Sequence, residues 1–165
     1  MSDNLLKDHK YNLWLLLLQA TDAAYNYREK ELAKYGITTI ESKTILTIKL
    51  IGENATPAKI SRLLYRKPHT ISTLLRRMEN RGLITRTKDL EKRNHIHVRL
   101  TEKGEEAYED SCTRESVHNL ISVLSIPEQK QLWYTLEKLR DKAITDLREE
   151  YSFPFPPEFG PTDKD

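Results

Sequence analysis

The chain has 165 residues, with 27 Lys+Arg against 25 Asp+Glu and a single Cys. That length suits one domain able to bury a core unaided, and one cysteine excludes an internal disulfide and any zinc site built on two or more. Only five glycines are present and none forms a phosphate-binding loop, which argues against the common nucleotide-binding enzymes. No basic–apolar–small leader opens the chain. Its longest apolar run, Leu13 to Leu18, is far short of the ~20 residues of a membrane span, so a cytoplasmic protein without a membrane partner is expected.

The net charge of +2 hides a strong asymmetry. Residues 1–55 carry 7 basic and 7 acidic side chains, residues 56–103 carry 13 and 4, and residues 104–165 carry 7 and 14. The middle stretch is the electrostatic footprint of a polyanion partner inside a chain otherwise neutral to acidic.

In chain order, about Leu5 to Tyr35 reads as one long helix, unbroken by Pro or Gly until Gly36. Its Leu13–Leu18 segment is apolar nearly all round, so the rest of the chain or a second copy must cover it on more than one side. Thr38-Thr39-Ile40-Glu41 fits a capping box opening a second helix, with Ile45, Leu46, Ile48 and Ile51 inward and Gly52-Glu53-Asn54 at its end. Thr56-Pro57 starts a third helix, to about Leu64. After a turn, Tyr65 to Pro68, a fourth runs from about His69 to Arg81 and is closed by Gly82. Its apolar positions Ile71, Leu74, Leu75 and Met78 make one narrow stripe. His69, Thr73, Arg76 and Asn80 fall opposite, with Ser72 and Arg77 on the flanks.

The period then becomes twofold. Leu83 to Thr87 and Ile96 to Leu100 read as strands, the second with Ile96, Val98 and Leu100 on one side and His95, His97 and Arg99 on the other. Lys88 to Asn94 forms the polar tip between them. Thr101 caps a helix from about Glu102 to Leu124, with Val117, Leu120, Ile121 and Leu124 on one face. Ser125-Ile126-Pro127-Glu128 gives a further capping box. The last helix, with Leu132, Leu136, Leu139, Ala143, Ile144 and Leu147, ends near Tyr151. The Pro/Phe-rich residues 152–165 read as an extended arm.

Two helices joined by a tight turn, the second with a polar-basic outer face, make a helix-turn-helix, and the hairpin after them makes a wing. Such a helix fits the major groove of DNA, where Arg, Ser, Thr and His reach base edges while neighbouring cations neutralise phosphates. The wing tip can place an arginine in the electronegative minor groove. On these grounds Arg66, Lys67, His69, Thr70, Ser72, Thr73, Arg76, Arg77, Lys92 and Arg93 are the expected DNA-binding residues.

The run Leu74-Leu75-Arg76-Arg77-Met78-Glu79-Asn80-Arg81-Gly82-Leu83-Ile84-Thr85-Arg86 resembles the recognition helix and first wing strand of the MarR (multiple antibiotic resistance regulator) family. Val98-Arg99-Leu100-Thr101-Glu102-Lys103-Gly104 resembles its second wing strand and following helix start. The spacing between the runs also matches, and the resemblance spans about residues 10–150. It implies a mostly α fold with a small β-hairpin wing. A dimerisation helix would occupy residues 1–35, a winged helix-turn-helix 36–101 and further dimerisation helices 102–151. It also implies a homodimer reading a palindromic double-stranded site, and often a small-molecule pocket between the dimer and DNA-binding parts. The family's wing carries an Asp-x-Arg pattern; here Glu91-Lys92-Arg93 aligns with it, giving Arg93 the minor-groove role, with Glu91 or Asp89 as the acid that orients it.

Other readings compete at single residues. Cys112 is a thiol sensor or a small buried hydrophobe, and only Arg114 stands beside it as an activating cation. His95 and His97 share a strand face and are a possible metal pair without a third ligand in sequence, so exposed wing histidines are expected instead. Tyr11, Tyr25, Tyr27, Trp133 and Tyr134 are available to an aromatic effector site. A winged-helix adaptor without specific DNA binding would show acidic or apolar residues where Thr73, Arg76 and Arg77 stand. No nucleophile, acid–base pair or metal cluster supports an enzyme, and no cofactor is expected. The expectation is a DNA-binding transcription regulator, a homodimeric repressor released by a small molecule or other signal.

Overall fold

A computed structural model describes residues 7–88 and 96–147. The helices are α1 (His9–Leu32), α2 (Thr39–Ile51), α3 (Pro57–Leu63), α4 (Pro68–Asn80), α5 (Glu102–Ser111), α6 (Glu115–Ile121) and α7 (Ile126–Leu147), with strands β1 (Ile84–Lys88) and β2 (Ile96–Leu100) between α4 and α5. The fold is mostly helical with one small antiparallel hairpin. The register pairs Ile84 with Leu100 and Arg86 with Val98. On the other edge of β2, the Val98 amide donates to the Ala55 carbonyl at 2.9 Å, so that edge is not left open.

Most of the helix starts follow the local signals. Thr38 and Glu41 form the reciprocal capping box at α2, Thr56 caps α3 ahead of Pro57, and Thr101 caps α5. Gly36 ends the first helical segment in a left-handed conformation at φ 67, where glycine has no Cβ to clash. At α7, the Glu128 carboxylate accepts from both the amide and the hydroxyl of Ser125. The α1 start lies further in than Leu5, because the Asp8 carboxylate accepts from the Lys10 and Tyr11 amides and fixes the first turn there.

The core lies inside the α2–α5 unit. Ile45, Ile48, Ile60, Ile71, Leu74, Leu75, Met78, Leu83, Ile84 and Val98 are buried in it, joined by Leu32 and Ile37 from the end of α1 and its turn. Leu46, Ile51, Leu63 and Leu64 are only half-buried at its rim. Outside this unit the single chain covers little. Leu13 is 65% exposed and Leu16 60%, while Val117, Leu120 and Ile121 of α6 are exposed and α7 buries no residue at all. The rest of the described chain therefore does not cover the apolar run of α1.

The expected single helix from Glu102 to Leu124 is corrected. The stretch 102–124 is not one helix: α5 ends at Ser111 and α6 begins at Glu115, with Arg114 between them at φ 49. The cause lies in α1. The buried Glu31 carboxylate accepts from the Thr113 hydroxyl, the Glu115 amide, and the amide and hydroxyl of Ser116, supplying the acceptors an unbroken helix would not need. The Arg28 guanidinium pairs with Glu31 and donates to the Ser111 carbonyl at the end of α5. One ion pair on α1 thus serves both sides of the break. Residues 148–165, including the expected extended arm, lie outside the described residues.

Candidate nucleic-acid interface

The α4 helix presents two opposite faces because of its spacing. Ile71, Leu74, Leu75 and Met78 are buried, while His69, Thr70, Ser72, Thr73, Arg76 and Arg77 are exposed. Burial of the stripe fixes the rotation of the helix and so turns the polar face outward. No side chain caps its N-terminus and its first turn contains no acid, leaving the positive end of the helix dipole uncompensated.

The turn before α4 is braced by one buried serine. The Ser61 carbonyl accepts from the Arg66 amide at 3.0 Å, and the Ser61 hydroxyl donates to the Arg66 carbonyl at 2.6 Å. Tyr65 takes up the tight bend at φ 52, a left-handed conformation uncommon for a residue with a Cβ. Arg66 and Lys67 are exposed and so sit at a defined place next to α4.

The far end of α4 is tied down by a carboxylate that the sequence reading assigns only to capping. Glu41 is fully buried. It accepts from the Thr38 amide at 2.9 Å and takes Arg81 on both oxygens at 2.8 and 2.7 Å, with Arg77 Nε 3.5 Å away. Burial pushes its carboxyl upward, but the Thr38 amide and Arg81 outweigh this and hold it below the usual range. Arg81 also donates to the Gly36 carbonyl. It therefore fastens α4 to the α1–α2 turn, whereas Arg77 stays 55% exposed and shares its charge between Glu41 and solvent. Arg86 pairs with Glu79, joining β1 to α4 and neutralising a cation of the basic stretch. No local pattern distinguishes Arg81 and Arg86 from the free arginines; only their carboxylate partners do.

The wing base is attached to the end of α4. Gly82 adopts φ 71 and the Leu83 amide donates to the Met78 carbonyl at 3.0 Å. The Leu83 carbonyl accepts from the Thr101 amide, and the Thr101 hydroxyl donates to the Gly82 carbonyl. At Gly104, an added Cβ would stand 2.1 Å from the Leu83 carbonyl oxygen. The two sequence runs singled out above thus meet, and glycine is what lets them touch. Lys92, Arg93, His95, Asp89 and Glu91 lie outside the described residues. His97 is half-buried rather than an exposed wing histidine.

Away from this face, Cys112 is exposed, not a buried hydrophobe. Among the described residues, no group of three or more His, Cys, Asp or Glu is placed to hold a metal, and no helix is long and apolar enough to cross a membrane. Of the aromatic candidates, Tyr11 and Trp14 stack at 5.5 Å, and Tyr27 lines a small cleft with Lys30, Lys34 and Asn119.

Residues 45–95 match the MarR family profile. No curated protein sequence matches the chain. Among solved structures, the organohalide-sensing transcriptional regulator RdhR in its 2,4-dichlorophenol-bound form is similar with a TM-score of 0.82 and 24% identity, covering 89% of each chain. MepR of S. aureus, in complex with DNA, gives 0.72 and 25% over 78% of this chain and 96% of its own. A MarR mutant from E. coli, complexed with operator DNA, gives 0.73 and 20% over 78% of this chain and 93% of its own.

Proposed function

We propose that the chain, whose residues 45–95 match the MarR family profile, is a DNA-binding transcription regulator of that family: a homodimeric repressor that reads a palindromic double-stranded operator and is released by a small molecule or other signal. The observation that carries this reading is the outer face of α4: every side chain assigned to DNA there is exposed, and every apolar one is buried. His69, Thr70, Ser72, Thr73, Arg76 and Arg77 meet base edges and flanking phosphates in the major groove, and Arg66 and Lys67 meet backbone phosphates beside it. Lys92 and Arg93 carry the wing contact, with Arg93 in the minor groove. The DNA-bound relatives MepR and MarR support this use of the fold.

The exposed apolar faces of the single chain support the rest of the reading. The apolar residues of α1, α6 and α7 that one chain leaves open are what a partner's same helices would cover, as in a twofold interface. Two copies of α4 then lie in successive major grooves, roughly 34–36 Å apart. An effector acts by binding more tightly to a dimer whose reading heads are wrongly spaced, since equal affinity for both spacings would shift nothing. The dichlorophenol-bound relative supports a ligand of that kind. A cytoplasmic location follows from the same role, and the reading assigns no chemistry to the chain.

Selection of bound sequences from random duplex DNA tests the proposal. A twofold-symmetric site with half-sites one helical turn apart is expected. Recovery of no preferred sequence, with duplex binding otherwise intact, would contradict it.

A further inference from the structure

Arg77 in the last turn of α4 and Arg81 at its C-cap stand four residues apart, so their side chains lie on the same side of the helix and meet the same carboxylate on α2. Glu41 takes Arg81 on both of its oxygens, at 2.8 and 2.7 Å, and accepts from the Thr38 amide at 2.9 Å. Its side chain is fully buried. Three fixed contacts inside the core leave this carboxylate one orientation. In that orientation Glu41 Oε1 faces Arg77 Nε at 3.5 Å.

The two arginines use Glu41 differently. Arg81 gives one terminal nitrogen to the carboxylate and the other to the Gly36 carbonyl. Arg77 meets Glu41 through Nε and remains exposed. The two terminal nitrogens of Arg77 stay outside that ion pair. They form the planar fork that matches O6 and N7 of a guanine. An exposed arginine surrenders rotamer freedom when it binds, and a guanidinium held beforehand surrenders less. The adjacent Arg76 is also exposed, but it lies about 100° round the helix and does not pair with Glu41.

We propose that Glu41 is a positioning residue for base readout: from inside the core it holds the Nε edge of Arg77, so that the free fork of the guanidinium faces a guanine in the major groove. The proposal rests on the DNA-binding reading above. Glu41 touches no base and acts through Arg77. A carboxylate near the DNA face opposes the approach of any polyanion, so electrostatics alone makes its removal tighten binding. Positioning has the opposite sign on the operator, and only there.

The test is fluorescence-anisotropy titration of the full chain with its selected duplex and with an unrelated duplex, at a temperature where circular dichroism shows each variant folded. Glu41→Gln keeps the size of the side chain and an oxygen for the Thr38 amide. It is expected to weaken the selected duplex about two- to tenfold, while the unrelated duplex binds as tightly as to wild type or more so. In an Arg77→Ala background the same substitution should cause no loss, and in an Arg76→Ala background its full loss should persist. Arg77→Lys, which leaves Glu41 in place, keeps the charge without the Nε edge or the fork. It should lose the preference for the selected duplex as Arg77→Ala does. If Glu41→Gln weakens both duplexes equally, or weakens the selected one as much without Arg77, Glu41 only supports the fold and the positioning role is wrong. Selected-duplex binding that is unchanged or tighter in Glu41→Gln, or a full preference kept by Arg77→Lys, also overturns it, and the DNA reading stands. If wild type binds no duplex at low salt, both fail.

Discussion

The Glu31 carboxylate, near the end of α1, receives both the amide and the hydroxyl of Ser116, 85 residues further along the chain. It does for α6 what an N-cap residue normally does from the adjacent position. Burial alone would raise its pKa, but Ser116, Arg28 and Thr113 outweigh this and hold it at about 2, down from 4.5. Because the folded value lies below the ordinary one, the associated stability is fully present above pH 4.5 and is lost as pH falls towards about 2. Glu31→Gln should lower stability by about 1–3 kcal/mol at neutral pH and flatten the loss across that acid window. Thermal melts of both proteins from pH 6 to pH 2 check it; parallel curves would contradict the assignment.

The two arginines that meet Glu41 should separate cleanly. Arg81→Ala removes the main partner of a fully buried carboxylate and is expected to cost about 1–3 kcal/mol in chemical denaturation, at the low end if solvent reaches the site. Arg77→Ala leaves that pair in place, so its stability should change little while DNA affinity falls. The reverse pattern would exchange their roles.

Gly104→Ala pits two effects against each other. Alanine favours a helix interior by about 1 kcal/mol over glycine, and the gain is smaller in the first turn of α5, where Gly104 stands. Here its Cβ would stand 2.1 Å from the backbone oxygen of Leu83, and backbone displacement of that kind typically costs about 1–3 kcal/mol. The clash should win, giving a lower melting temperature and weaker DNA binding as the wing base shifts from α4. A stabilised protein would show that the contact is looser than described.

Much of this arrangement is legible in the sequence because it is local. The Ile71–Leu74–Leu75–Met78 stripe fixes which face of α4 is buried, and Thr38, Thr56 and Thr101 mark where helices begin. The break between Ser111 and Glu115 is not legible in that way. Its acceptors come from Glu31, and nothing in residues 102–124 signals that a carboxylate from α1 will arrive. The candidate site divides along the same line. Exposed cations on α4 follow from periodicity, whereas the structural task of Arg81 depends on Glu41, 40 residues earlier in the chain, and that of Arg86 on β1 folding back to bring it against Glu79 of α4.

Leu16 on α1 is 60% exposed in the single chain. A charge there costs the folded chain little but is buried in the proposed twofold interface. Leu16→Glu is therefore expected to sediment as a monomer, to retain its helical circular dichroism, and to bind the palindromic duplex far more weakly. A dimer of unchanged stability would remove α1 from the interface.

Duplex binding as a function of salt tests the central claim most directly. With the exposed face formed by Arg66, Lys67, Arg76 and Arg77, affinity for double-stranded DNA is expected to fall steeply between about 50 and 200 mM salt, because each neutralised phosphate releases counterions. Arg76→Ala should shift the whole curve to weaker binding. Binding that is insensitive to salt, or absent at low salt, would contradict the account.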